Sequence, residues 1–170
     1  LTEAHYIARS GRPGPVVVDV TKTAQTGEMY YSWPQRMILP GYNPTTKAHG
    51  RVLSDAAKLF EQSYRPVLYV GGGAVSSNAA PELLELAELL HTPVTTTLLG
   101  LGSFPETHPL SMGMLGMHGT YWANMAMHYS DLLIAVGARF DDRVTGKLSE
   151  FCPEARVIHI DIDPTSIKKT

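Results

Sequence analysis

The stretch Arg-Pro-Val-Leu-Tyr-Val-Gly-Gly-Gly-Ala-Val, residues 65–75, decides the fold of this chain. Its apolar run, Val67 to Val70, is typical of a strand buried on both faces, as in a parallel sheet. The strand ends at Gly71-Gly72-Gly73, and a helix is predicted soon afterwards. Glycines let the backbone take positive φ and approach a ligand, because no Cβ intervenes. This geometry binds a phosphate on backbone N–H groups, or it is a tight turn without a ligand.

Strands and helices alternate on both sides of this stretch. Further strands are predicted at 16–20, 93–98, 131–136 and 156–161, and helices at 1–10, 49–64, 81–90, 120–130 and from Asp163 to the chain end. This order predicts an α/β fold, a doubly wound and mainly parallel sheet of the Rossmann-like type.

Two of the helices have a predicted inner face. In the helix at 49–64 it comprises Val52, Leu53, Ala56, Ala57, Leu59 and Phe60, and in the helix at 120–130 it comprises Trp122, Met125, Ala126 and Tyr129. We expect these side chains to pack against the sheet.

Residues 21–47 differ in character from the rest. They hold Pro34, Pro40 and Pro44 and show no sustained period of 2 or 3.6 residues. A stretch of that length without structure is unusual inside a compact domain, so we interpret it as an interdomain linker. Residues 1–20 are then the end of a preceding domain, and 48–170 form the main domain. We expect the strand at 16–20 to lie outside the main sheet.

Composition excludes several classes of function. The chain has 170 residues, 44% of them hydrophobic, and a formal net charge of −2, which gives no basic field for nucleic acid. No apolar run approaches the 18 residues of a membrane span, and the expected location is the cytoplasm. The seven histidines lack metal-ligand spacing and Cys152 is the single cysteine, so no metal site is predicted.

The residues that follow the strands carry the chemistry. In a doubly wound sheet the ligand lies outside the carboxyl ends of the strands, which here means Gly71–Gly73, Thr97-Leu98, Gly137–Arg139 and Asp161. Backbone N–H groups, a guanidinium and a carboxylate suit a nucleotide. An NAD fingerprint fails, because Ser76 stands where the third glycine belongs. The methionine-rich residues 112–119 are a core loop or a deformable wall for a flat aromatic ligand.

Four motifs carry a family resemblance. Gly137–Gly146, Gly-Ala-Arg-Phe-Asp-Asp-Arg-Val-Thr-Gly, is similar to a signature of the catalytic subunits of acetohydroxyacid synthase, also called acetolactate synthase. Gly11–Val16, Leu115–Gly119 and His159–Asp163 match the same family in order and spacing. The resemblance covers nearly the whole chain.

The resemblance implies a role for this chain in a larger enzyme. The family joins a two-carbon unit from pyruvate to a second 2-ketoacid, in branched-chain amino-acid biosynthesis. The chain resembles the central domain, which binds FAD, with its C-terminal edge truncated. Thiamine diphosphate and Mg²⁺ are bound by other domains of the same subunit, so this chain is expected to be inactive alone. The family also implies a homodimer or tetramer and a regulatory small subunit, with no nucleic-acid or membrane partner.

The resemblance also implies site residues. Its FAD contacts correspond to Arg12, Gly72, Gly73, Thr97, Leu98, Leu115, Gly116, Met117, His118, Gly137, Ala138, Arg139, Phe140, Asp141, Asp161 and Ile162. Arg143 corresponds to an arginine near the entry of the second ketoacid, and no catalytic or metal residue is assigned. Two alternatives stay open. One is a free-standing flavin- or nucleotide-binding module, and the other is an NAD-consuming deacylase, which would need zinc-binding cysteines.

Overall fold

The computed structural model describes residues 1–32 and 39–169 of the chain. They form two compact units, Leu1–Lys47 and Ala48–Thr170. The boundary falls at the end of the predicted linker, but the further division at residue 20 remains a prediction. Pro34, which contributed to that linker prediction, lies outside the described residues.

The first unit contains two helices, α1 (Thr2–Arg9) and α2 (Lys22–Thr26). Tyr42 folds back on the end of α1, where its hydroxyl donates a hydrogen bond to the carbonyl of Ser10 at 2.9 Å. The strand predicted at 16–20 is wrong, because these residues pair with no strand and are exposed, Val17 by 93%. An apolar β-branched run forms a strand only where a neighbouring strand takes up its N–H and C=O groups.

The second unit is built on a five-stranded parallel sheet in the order β3-β2-β1-β4-β5. The strands are β1 (Pro66–Val70), β2 (Val94–Thr96), β3 (Ser111–Met114), β4 (Leu132–Val136) and β5 (Arg156–Ile160), and the helices are α3 (Gly50–Glu61), α4 (Gly72–Ser76), α5 (Ala80–Leu90), α6 (Tyr121–His128) and α7 (Asp142–Thr145). The α/β, Rossmann-like fold class is confirmed. β3 was not predicted, because its two glycines and two methionines have no strand pattern.

The core lies on both faces of the central strands, as the apolar run in β1 predicted. Val67 and Tyr69 pack in one cluster, and Leu68 and Val70 pack in the other. Burial raises the pKa of the Tyr69 hydroxyl, which is fully enclosed. Burying an aliphatic or aromatic side chain of this size stabilises the fold by about 1.5–3 kcal/mol.

The predicted inner face of α6 is wrong. Ala123 and Met127 are its buried residues, whereas Trp122 is 69% exposed and Tyr129 is 59% exposed. Successive helical residues are about 100° apart, so burying Ala123 turns the neighbouring Trp122 away. A small residue on the inner face lets the helix lie close to the sheet, which the large aromatic would prevent.

The predicted inner face of α3 is only partly correct. Leu59 and Phe60 pack against the core, but Val52 and Leu53 are exposed. Only the C-terminal turn of the helix meets the sheet. Periodicity identifies an apolar face, and it does not report how much of the helix length is covered.

The helix predicted from Asp163 is also wrong, because the described residues 164–168 form turns. The Asp163 carboxylate accepts hydrogen bonds from the Thr165 N–H at 2.9 Å and the Thr165 hydroxyl at 2.6 Å. Lys168 then takes a positive φ of 63°, which is incompatible with a continuing right-handed helix.

Candidate functional site

The candidate site lies along the edge of the sheet where the five parallel strands end. β1, β2 and β3 extend in one direction across the sheet, and β4 and β5 extend in the other. The topological switch point therefore lies between the ends of β1 and β4. Open α/β sheets bind their ligands at this place.

The switch point is a crossing of glycine backbones. The Gly71 N–H donates to the Val136 carbonyl at 2.9 Å, and the Gly73 N–H donates to the Gly137 carbonyl at 3.0 Å. A Cβ on Gly71 would lie 2.3 Å from the Gly137 oxygen, and one on Gly73 would lie 2.6 Å from the Gly137 Cα. These glycines are required because two main chains touch.

This crossing corrects the expected role of the glycine turn. Gly71 has a φ of −110°, so the turn does not use positive φ there. Two of the expected phosphate donors, the N–H groups of Gly71 and Gly73, are already bonded to carbonyls. Gly72 begins α4, and its N–H has no acceptor in the described part of the chain. One amide of the turn therefore faces a ligand, not three.

The end of β2 presents an apolar surface beside that amide. The Thr97 hydroxyl accepts a hydrogen bond from the Gly100 N–H at 3.1 Å and shapes a turn over 98–100. Leu98 and Leu99 in this turn are largely exposed, and a Cβ on Gly72 would lie 3.0 Å from the Leu99 Cβ. Thr97 thus acts through the turn, and Leu98 is the predicted residue that offers a surface.

The predicted residues after β3 divide into two kinds. Leu115 is buried in the core, and Gly116 is buried with a φ of +99°. Met117 and His118 are exposed, Met117 by 72%. The first two form the base of the loop, and the last two are the ones a ligand can reach.

Met112 and Met114, on β3, line a cavity of about 370 Å³ together with Thr96 and Phe104. The cavity opens beside the edge strand. The suggestion that the methionines form a wall for a flat ligand stays a prediction.

The loop after β4 contains an ion pair. The Arg139 guanidinium lies 2.5 Å from the Asp141 carboxylate, and both groups are partly exposed to solvent. A hydrogen bond with the Asp142 side chain and the ion pair with Arg139 lower the pKa of Asp141. A ligand phosphate near Arg139 would compete with Asp141 for the guanidinium.

The neighbours of Arg139 in the loop face inward. Ala138 is buried, and Phe140 has a positive φ of 55°. The Phe140 ring makes edge-to-face contacts with Tyr69 at 5.4 Å and with His159 at 5.2 Å between ring centres. These contacts fix the loop on the core, so Ala138 and Phe140 hold Arg139 in position by packing.

Asp161 and Ile162 follow β5 at the far end of the edge. One Asp161 oxygen accepts a hydrogen bond from the Asp163 N–H at 2.8 Å, and the other lies 3.7 Å from the His159 Nε2. The His159 Nε2 is 2.8 Å from the Ala138 carbonyl. His159 therefore links the ends of β4 and β5, a role that its position inside a quoted motif did not reveal.

Arg143 lies in α7 and is exposed. Its carbonyl accepts a hydrogen bond from the Met117 N–H at 3.1 Å, so it is coupled by its main chain to the loop after β3. Arg12 belongs to the Leu1–Lys47 unit and is described with that unit alone. Every other predicted site residue follows one of the five strands, and the topology brings these residues to one edge.

Comparison with known proteins decides the family. A family model described as the thiamine pyrophosphate enzyme, central domain, matches residues 53–170. The chain belongs to this family. The match covers the unit that carries the five-stranded sheet and its candidate site.

The relatives of this central domain bear out the resemblance found in the motifs. The chain is 57% identical over 169 residues to an acetolactate synthase of Mycobacterium bovis, 52% over 170 residues to an acetolactate synthase large subunit of Buchnera aphidicola subsp. Schlechtendalia chinensis, and 52% over 169 residues to one of Corynebacterium glutamicum. Each alignment covers 99% of this chain, and the chain spans 27–30% of the length of these relatives.

Two searches of the central domain and its flanking residues complete the description. Within residues 1–32 and 39–169, no helix combines the length and apolarity that crossing a bilayer requires. The same residues contain no group of three or more His, Cys, Asp or Glu side chains arranged to hold a metal ion.

Proposed function

We propose that this chain is the central, FAD-binding part of an acetolactate synthase large subunit. The observation that carries the proposal is the identity of 52–57% to proteins of that name over 99% of the chain. The proposed subunit condenses pyruvate with a second 2-ketoacid in the cytoplasm. Thiamine diphosphate and Mg²⁺ would be held by other domains of the same subunit, with assembly into a dimer or tetramer and a regulatory small subunit.

The strand ends offer groups that fit FAD. The unbonded Gly72 amide and the Arg139 guanidinium suit a diphosphate, because both are hydrogen-bond donors at the carboxyl edge of a parallel sheet. The exposed Leu98 and Met117 suit the face of the isoalloxazine ring. FAD would be a structural element in this role, with no net redox change in the condensation. Residues 1–20 and 21–47 would be the end of the preceding domain and the linker.

A measurement of activity tests the proposal. The full-length protein that contains this chain should form acetolactate from pyruvate with thiamine diphosphate, Mg²⁺ and FAD present. The 170-residue chain should form none under the same conditions, because residues for thiamine activation lie outside it. Absence of activity in the full-length protein, or acetolactate made by the short chain, would contradict the proposal.

The short chain should also bind FAD more weakly than the full-length protein does. Ordering a loop costs about 1–2 kcal/mol per residue fixed, and without neighbouring domains the ligand must order Met117 and its neighbours itself. Each 1.4 kcal/mol is about tenfold in affinity, so a loss of about a hundredfold or more is expected. Flavin fluorescence titration of both proteins measures it. Equal affinities would mean that the site is complete within this chain.

Replacing the two exposed arginines one at a time separates their proposed roles. Arg139→Ala removes a charged donor, which is worth about 1.5–3 kcal/mol, and should weaken FAD binding about tenfold or more in the full-length protein. Arg143→Ala should instead change the preference between pyruvate and 2-ketobutyrate as the second substrate, with FAD affinity little affected. Titration and competition assays on both variants provide the comparison. The reverse pattern would exchange the two assignments.

A further inference from the structure

The side-chain amide of Asn124, on α6, grips the peptide group of a single loop residue. The Asn124 Oδ1 accepts a hydrogen bond from the Gly116 N–H at 3.0 Å, and the Asn124 Nδ2 donates one to the Gly116 carbonyl at 3.1 Å. The same Nδ2 donates to the Thr120 carbonyl at 3.0 Å. The amide therefore satisfies a donor and an acceptor of Gly116, as a paired strand would.

The other side of the loop is held by the main chain of α7. The Met117 N–H donates to the Arg143 carbonyl at 3.1 Å, and a Cβ on Gly116 would lie 3.0 Å from that oxygen. Gly116 is thus enclosed between a side-chain amide and a neighbouring carbonyl. Its φ of +99° is the conformation that these contacts hold.

Helix capping does not explain Asn124. The start of α6 is capped by Thr120, whose hydroxyl accepts a hydrogen bond from the Ala123 N–H at 3.1 Å. Two of the three hydrogen bonds of Asn124 go to Gly116, eight residues earlier and outside the helix. The side chain acts on the loop, and the loop presents the exposed Met117 and His118.

We propose that Asn124 is a positioning residue that sets the Leu115–Gly119 loop in the conformation in which Met117 and His118 meet the cofactor. This inference rests on the proposed FAD-binding function. Its chemical requirement is specific, because the side chain must accept from one N–H and donate to two carbonyls. An amide does both, and neither a carboxylate nor a methyl group does.

Two variants of the full-length protein test this requirement. Asn124→Ala removes all three hydrogen bonds and should weaken FAD binding about tenfold. Asn124→Asp keeps the acceptor for the Gly116 N–H but turns an oxygen toward two carbonyls, so its loss should be at least as large. Flavin titration measures affinity, and the visible circular dichroism of saturated protein reports the surroundings of the ring. Hydrogen exchange of peptides that span 115–120 reports the loop without flavin.

Two further variants act as controls. Leu83→Ala removes a buried side chain of α5 from the other face of the sheet and destabilises the protein without touching the loop. Asn78→Asp makes the same chemical change as Asn124→Asp at an exposed position. Both should leave the FAD affinity and the flavin spectrum as in the wild type at temperatures where the protein is folded.

The outcomes separate the inference from the function it rests on. Faster exchange at 115–120 with weaker FAD binding and an altered flavin spectrum in both Asn124 variants, absent in both controls, supports the inference. Unchanged exchange or unchanged flavin binding in the Asn124 variants overturns it while the wild type still binds FAD. If the wild-type protein itself fails to bind FAD, the proposed function fails, and this inference fails with it.

Discussion

Replacing Gly137 by alanine is expected to lower the free energy of unfolding by about 3–5 kcal/mol, the largest effect of a single methyl group in this domain. Gly137 has a φ of +58°, and its added Cβ would lie 2.5 Å from the Gly73 Cα and 2.6 Å from the Ala74 nitrogen. Both neighbours are main-chain atoms, which cannot rotate aside as a side chain can. The crossing would have to open, and the hydrogen bond from Gly73 to Gly137 would break.

Urea unfolding of Gly137→Ala and two control variants checks this result. Gly102→Ala also places a side chain at positive φ, +86°, but nothing lies within 4 Å, so it isolates backbone strain. Gly50→Ala has neither strain nor contact, at the first residue of α3, and should be neutral or slightly stabilising. If Gly137→Ala proved no worse than Gly102→Ala, overlap at the crossing would not be the cause.

Replacing Asp131 by alanine is expected to lower the free energy of unfolding by about 2–3 kcal/mol near neutral pH. The carboxylate of Asp131 receives hydrogen bonds from the Tyr64 N–H at 2.8 Å, the Arg65 N–H at 3.0 Å and the Ser63 hydroxyl. It thereby ties the segment after α3 to the start of β4. Alanine leaves both main-chain donors to water. The stated loss is below the sum for three charged hydrogen bonds, because solvent reaches the group.

The same carboxylate gives the effect a dependence on pH. Partial burial raises the pKa of Asp131, but the hydrogen bonds from Ser63, Tyr64 and Arg65 outweigh it, so the net pKa is lowered. A lowered pKa means that the stabilisation is complete above the ordinary value of about 3.9 and is lost as the pH falls through the folded value. Asp131→Ala should therefore be most harmful at neutral pH and approach the wild type in acid.

Thermal denaturation at pH 7 and at pH 3 measures this convergence. Asp55→Ala is the matched control, because Asp55 forms an exposed ion pair with Lys58 at 3.3 Å and should cost only a few tenths of a kcal/mol at either pH. A difference between Asp131→Ala and the wild type that stays constant with pH would show that the charge is not the source of the stabilisation.

Local patterns predicted the parts of the fold that depend on one strand or one helix. The apolar run in β1 and the leucines of α5 lie where they were expected, because a buried strand and an amphipathic helix each require a pattern of their own. β3 was missed because a strand at the edge of a sheet needs only main-chain pairing with β2. The Ser111–Met114 segment meets that requirement without β-branched side chains.

The candidate site was predictable in its location and not in its internal contacts. Topology alone brings the strand ends together, which is why Gly72, Leu98 and Arg139 lie on one edge. Sequence does not reveal that Gly73 is bonded to Gly137, or that Arg139 is paired with Asp141. These contacts join residues whose partners are set by the distance between loops, and no spacing along the chain encodes that distance.

The glycine crossing has a consequence for combinatorial libraries that aim at a different ligand. Gly71, Gly73 and Gly137 are mutually dependent, because a side chain at any of them collides with the main chain of another. Randomising these codons would fill the library with clones that do not fold. Diversity belongs at Leu98 and Met117, whose side chains are largely exposed. Such a library would explore ligand shape while the turn geometry stays constant.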